Sequence, residues 1–103
     1  NWQVVHGDRQ LLPGVELLHV PGHTPVQLGA EIQTDTGTVL IGGDVAFLAP
    51  NYEDDRSMGA SLIHDSQALN ESLRMLRERE RRTDATVLYG HDSGQIERLR
   101  GTL

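Results

Sequence analysis

The segment Pro21-Gly22-His23-Thr24-Pro25 limits the folds open to this chain more than any other. Two prolines and a glycine within five residues prevent strand or helix from continuing, so the element before them must end in a rigid loop. That element is Val15 to Val20, an apolar run that reads as a strand buried on both faces. Upstream, Trp2 to His6 reads as a strand, turned by Gly7-Asp8 into a short partner at Gln10 to Leu12, with Pro13-Gly14 as the next turn. Downstream, Leu28 to Thr34 and Thr38 to Ile41 flank Asp35-Thr36-Gly37 and predict a β-hairpin. Thr86 to Tyr89 supplies a last short strand.

One helix stands out against these strands. Asp65 is a good N-cap for a helix over about 66–82, with Leu69, Leu73 and Leu76 as its apolar stripe and Ala68, Ser72 and Met75 beside it. The spacing offers the pairs Glu71–Arg74 and Glu78–Arg82, and the arginines crowd the last turn, where the helix dipole favours them. Val45 to His64 shows no period and is broken by Pro50, Asn51 and Gly59, so it reads as a long loop of the kind that carries function. Gln95 to Arg100 predicts a final helical turn. Strands with one main helix make this an α/β chain, and 103 residues allow at most one domain.

Charge and composition exclude several function classes. Net charge is −6, and the one dense arginine run, Arg77 to Arg82, is interleaved with Glu78 and Glu80, so no cationic face for nucleic acid is expected. No apolar stretch approaches the roughly 20 residues that span a bilayer, so no membrane partner is expected. The chain has no cysteine, which rules out disulfides and thiolate metal sites and suits a cytoplasmic protein. No Gly-x-Ser-x-Gly elbow surrounds any serine, and no Gly-x-Gly-x-x-Gly or phosphate-loop pattern follows a strand.

Three segments share one design: a strand ends, a glycine follows, and a metal-capable side chain comes next. They are Gly22-His23, Gly43-Asp44 and Gly90-His91. Loops leaving rigid strand ends hold a ligand in place, and glycine lets the backbone turn sharply beside it. Neutral imidazole and carboxylate are both ordinary ligands of divalent cations. Each segment alone has a plainer reading as a turn, a cap or a hydrogen-bonding loop. Their joint occurrence, in this order, argues for a shared site. The other histidines, His6, His19 and His64, lie singly; His19 reads as a packed or edge residue and His64-Asp65 as the helix start.

The flanking residues carry a family likeness. Pro13-Gly14-Val15 leads into Pro21-Gly22-His23-Thr24-Pro25; Val39-Leu40-Ile41-Gly42-Gly43-Asp44 closes a strand; Asn51-Tyr52-Glu53 precedes the leucine-bearing helix; Val87-Leu88-Tyr89-Gly90-His91-Asp92 closes another strand. In this order they resemble the metallo-β-lactamase superfamily of dinuclear metal hydrolases, nearest its N-acyl-homoserine-lactone lactonase branch. The resemblance covers nearly the whole chain but only the C-terminal half of the family's αββα sandwich. It implies one partial domain over residues 1–103, with the family's upstream His-x-His-x-Asp-His motif absent. The opening Asn1-Trp2, without Met, also suits a fragment.

The resemblance further implies that His23 holds one metal, His91 the other, and Asp44 bridges them and orients the nucleophile. The intact site would hold two divalent ions, zinc foremost, with manganese, iron or cobalt as alternatives. Its metal-bound hydroxide would attack a lactone, ester or thioester carbonyl of a small-molecule substrate. Two positions depart from the family pattern. Val26-Gln27 stands where Gly-His is common, and Phe47 occupies the place of a lactonase tyrosine that contacts the substrate carbonyl. Phe47 is therefore a candidate substrate contact without a hydrogen bond to give.

The chain alone is expected to be inactive, because most of a metal shell is missing and whole structural zinc sites contribute roughly 10–16 kcal/mol. It is expected to pair with a missing N-terminal half or with itself. The competing expectation is a non-catalytic binding or structural module that retains half of the fold.

Overall fold

The computed structural model describes residues 1–102. Five strands form one sheet in chain order: β1 (Arg9–Leu12), β2 (Val15–His19), β3 (Leu28–Thr34), β4 (Gly37–Ile41) and β5 (Thr86–Leu88). The first four are antiparallel neighbours, and β5 lies parallel to β4. A parallel neighbour requires a crossover, and α2 (Ser66–Thr83) supplies it. Two shorter helices, α1 (Ala49–Glu53) and α3 (Ser93–Leu99), flank the end of the sheet where β4 and β5 finish.

The α2 helix forms where capping and periodicity place it. The Asp65 carboxylate accepts a hydrogen bond from Ala68 N–H at 3.0 Å, a cap contributing about 0.5–2 kcal/mol. Leu69, Leu73 and Leu76 are buried against Leu18, Val20, Leu40 and Val87 of the sheet. The helix ends at Asp84, which takes the left-handed conformation (φ 52°). Of the ion pairs expected from spacing, neither Glu71–Arg74 nor Glu78–Arg82 forms among the described residues; Glu78 pairs with Arg81.

Arg79 lies on the sheet-facing side of the helix, one turn past Leu76, and reaches the sheet. Glu16 and Glu31 are cross-strand partners in the β2–β3 register, and like charges directly opposite repel. The Arg79 guanidinium lies 2.8 Å from Glu16 and 2.7 Å from Glu31, with Asp8 at 3.9 Å, and offsets their repulsion by bridging them.

The opposite face of the sheet is flanked by α3 at its β4–β5 end, where Ile96 and Leu99 line a cavity with Ile41 and Leu88. By the strand register, Leu12, Val15, Leu17, Leu28, Ala30, Ile32, Val39, Ile41 and Leu88 share that face. Expected burial of Val15 to Val20 on both faces is therefore only half met: Leu18 and Val20 are fully buried, while Val15 and Leu17 stay partly exposed.

Two expectations need correction. Trp2 to His6 is not a strand; Trp2 and Val4 are exposed and the segment pairs with nothing. The outer edge of β1 is unpaired, but all four of its residues are exposed, so a strand laid there would bury no apolar surface. The segment 45–64 is not one loop either. It contains α1 and the 3-10 turn Ala60–Leu62, and begins on the last residue of another, Gly43–Val45. Remote partners stabilise it: Arg77 of α2 donates to the Tyr52 carbonyl at 2.5 Å and pairs with Asp55 at 2.7 Å. Among the described residues no helix is long and apolar enough to cross a membrane.

Candidate metal centre

His23, Asp44 and His91 come together at the ends of β2, β4 and β5. Asp44 Oδ2 lies 3.5 Å from His23 Nε2, and Asp44 Oδ1 lies 2.9 Å from His91 Nε2. One carboxylate thus presents one oxygen to each imidazole. His23 and Asp44 are partly buried, and His91 is the most exposed of the three.

The His23 tautomer follows from its second contact. Its Nδ1 sits 2.5 Å from the Leu62 carbonyl, which can only accept, so Nδ1 carries the proton. In the neutral ring Nε2 then presents a lone pair towards the carboxylate. Two acceptors facing each other across 3.5 Å are incompatible unless a cation or proton stands between them.

The loop carrying His23 is built tightly against α2. A Cβ on Gly22 (φ 141°) would fall 2.4 Å from Leu69 Cα, so only glycine fits. Across the loop, His19 Nε2 donates to the Pro25 carbonyl at 3.0 Å. His19, the last residue of the inner strand β2, thus closes this loop.

The loop carrying His91 is fastened to the residues after Asp44. Gly90 N–H donates to the Ala46 carbonyl at 2.8 Å and His91 N–H to the Phe47 carbonyl at 2.9 Å. A Cβ on Gly90 would stand 2.9 Å from Gly43 O and 3.0 Å from Asp44 Oδ1, so glycine clears the space the carboxylate uses. The Phe47 ring packs on the His91 imidazole with centroids 4.2 Å apart. Phe47 thus acts on the site through His91.

Asp92 joins both flanking helices. Its Oδ2 accepts from Ala49 N–H at 3.0 Å at the start of α1, and its Oδ1 from Gln95 N–H at 2.9 Å as the N-cap of α3. These two backbone donors, Ala49 first, hold its carboxyl below the usual carboxylate range. Gln95 in turn closes the free edge of β5: its amide donates to Val87 O at 2.5 Å and accepts from Tyr89 N–H at 2.9 Å, as a sixth strand would. Tyr89 Oη, just before the loop, is fixed 2.8 Å from Glu53.

Several supporting groups escape sequence reasoning. The Leu62 carbonyl leaves no side-chain signal. Ser72 and Gln95 look like ordinary helix residues. Gln27, in the place of the family histidine, lies against Gly43, and its buried Oε1 has no partner among the described residues. Among those residues no three His, Cys, Asp or Glu side chains enclose a cation by themselves.

A family model described as the metallo-beta-lactamase superfamily matches residues 2–91. The chain belongs to that superfamily. An N-acyl homoserine lactonase of a Bacillus sp is 34% identical over 102 residues, covering 98% of this chain and 38% of the relative. One from Bacillus thuringiensis is 30% identical over 101 residues, covering 97% of this chain and 39% of the relative. A solved N-acyl homoserine lactone hydrolase, with the product N-hexanoyl-L-homoserine at its catalytic metal center, superimposes with TM-score 0.86 and 28% identity over 95% of this chain and 38% of that one. This α/β chain therefore forms part of a metallo-beta-lactamase fold and spans less than two fifths of the length of these relatives.

Proposed function

We propose that this chain contributes His23, Asp44 and His91 to the dinuclear metal centre of a lactone hydrolase acting on N-acyl homoserine lactones or related esters and thioesters. One observation carries the reading: each oxygen of the Asp44 carboxylate faces the Nε2 of a different histidine. The donor set fits a cation pair, because His23 Nε2 and Asp44 Oδ2 are opposed acceptors and the absent Cβ of Gly90 leaves the carboxylate free. The lactonase relatives support the substrate class.

In this reading His23, His91 and the Asp44 carboxylate would together hold the ions. Two imidazoles with a carboxylate suit zinc foremost, with manganese, iron and cobalt as alternatives. Bound divalent ions would supply an activated water and polarise the substrate carbonyl. The chain's own residues do the rest. The Leu62 carbonyl fixes the His23 ring, Phe47 stacks on His91 and walls that side of the site without a hydrogen bond to give substrate, and Asp44 orients the nucleophile.

Three ligand side chains are too few for two ions. We infer that the remaining ligands, and the layer that covers the open sheet face, come from further polypeptide of the same fold or from a second copy. The chain alone is then inactive. The cysteine-free composition supports a cytoplasmic setting.

Zinc titration of the 15N-labelled chain, followed by NMR, tests the site. His23 and His91 ring signals should shift together, with His6, His19 and His64 unmoved. Shifts spread over all five histidines would overturn the shared site.

A further inference from the structure

The helix face that packs on the sheet carries one hydroxyl among its leucines. Ser72 is 4% exposed, and its Oγ donates to the Pro21 carbonyl at 2.6 Å, across 51 residues of sequence. A helical serine usually turns its hydroxyl back to the carbonyl four residues earlier. Here it crosses to the loop that presents His23.

The next two residues of that loop are tied to the same stretch of chain. The Gly22 carbonyl accepts from His64 N–H at 2.8 Å and Asp65 N–H at 3.0 Å. The His23 Nδ1–H donates to the Leu62 carbonyl. Residues 21, 22 and 23 each therefore make a hydrogen bond to the region 62–72, and Gly22 lies flat on Leu69. Ser72 is the only side chain in this set that supplies a donor from α2; the others are backbone groups.

We propose that Ser72 is a positioning residue for His23, holding the Pro21-Gly22-His23 backbone in the register that keeps the ring on the Leu62 carbonyl and its Nε2 towards Asp44. The functional meaning rests on the reading of His23 as a metal ligand. The geometric claim stands without it. Hydrogen bonds to the far ring nitrogen fix both the tautomer and the orientation of a ligating histidine, and losing such support typically weakens metal binding by about 10–100-fold. Ser72 lies one step further out, so the lower end of that range applies.

The alternative is a buried hydroxyl that merely satisfies a carbonyl and contributes stability. The tautomer separates the two. In the 15N-histidine-labelled chain at a pH where the rings are neutral, His23 should show a protonated Nδ1 and an unprotonated Nε2. In Ser72→Ala, that pattern should relax towards the mixed tautomers of an unrestrained ring, while His19, held by Pro25, keeps its own. Ser72→Thr should restore the wild-type pattern. Ser72→Cys, a weaker donor of similar volume, should fall between and guards against a cavity effect in the alanine variant. The Zn²⁺ midpoint in the same samples should rise about 10-fold for Ser72→Ala.

A wild-type His23 tautomer in both Ser72→Ala and Ser72→Cys would overturn the proposal, whatever the loss of stability. If zinc moves neither His23 nor His91 while the tautomer responds as described, the metal reading fails and the positioning role of Ser72 stands.

Discussion

His23 Nε2 and Asp44 Oδ2 face one another as acceptors at 3.5 Å, with no hydrogen on either to join them when the imidazole is neutral. Asp44→Asn places an amide donor in that gap. The variant should unfold at higher denaturant, by about 0.5–1.5 kcal/mol for one new hydrogen bond, and should lose the paired zinc response of His23 and His91. Denaturation in the presence of a chelator, alongside the zinc titration, measures both. A variant that is less stable and still binds zinc would contradict the assignment.

Arg79 should prove the most costly charge to remove. It is 17% exposed and serves Glu31, itself 14% exposed, and Glu16 on the adjacent strand. Breaking a fully buried pair costs about 3–5 kcal/mol and an exposed pair at most about 1, so Arg79→Ala should cost roughly 2–3 kcal/mol. Adding Glu31→Gln should recover part of that loss, since the two strands no longer oppose two carboxylates. Urea denaturation of the double-mutant cycle checks the sign.

The two close-approach glycines should respond differently. Gly22→Ala forces a Cβ onto the α2 backbone at positive φ and should cost about 3 kcal/mol, the upper end for overpacking. Gly90→Ala meets a carbonyl and the Asp44 carboxylate, so it should weaken zinc binding more than it weakens the fold. Thermal melts and zinc titrations of the two variants should rank in opposite orders.

Acid should release α1 and α3 together. The Asp92 pKa is depressed in the folded chain, so its stabilising contribution is present above the ordinary aspartate range near pH 4 and is lost as pH falls through the lower folded value. The amides of Ala49 and Gln95 should therefore report one shared midpoint below pH 4 by NMR. Independent midpoints would exclude a carboxylate common to both helices.

Local features of the fold are legible because a few neighbouring residues encode them. Asp65 caps α2 as its type and place dictate, and the leucine spacing marks the face that packs. The strand-end pattern of glycine followed by His or Asp marks three side chains that do converge. What fails depends on partners far along the chain. Trp2 to His6 has strand-like composition but would find only the exposed residues of β1 beside it, with no apolar surface to bury. The helical turn at 49–53 depends on Arg77 and Asp92, and a local window sees neither. Ser72 reads as filler beside a leucine stripe until Pro21, 51 residues away, is placed against it.

The amide of Gln95 on the outer side of β5 has a consequence for growth of the sheet. With Val87 and Tyr89 already hydrogen-bonded, no incoming strand can extend the sheet past β5 without displacing that side chain. Two routes stay open to any partner: face-on over the half-buried Val15, Leu17 and Ile32, or alongside the unpaired edge of β1. Assembly is steered towards a layered body and away from an endless ribbon.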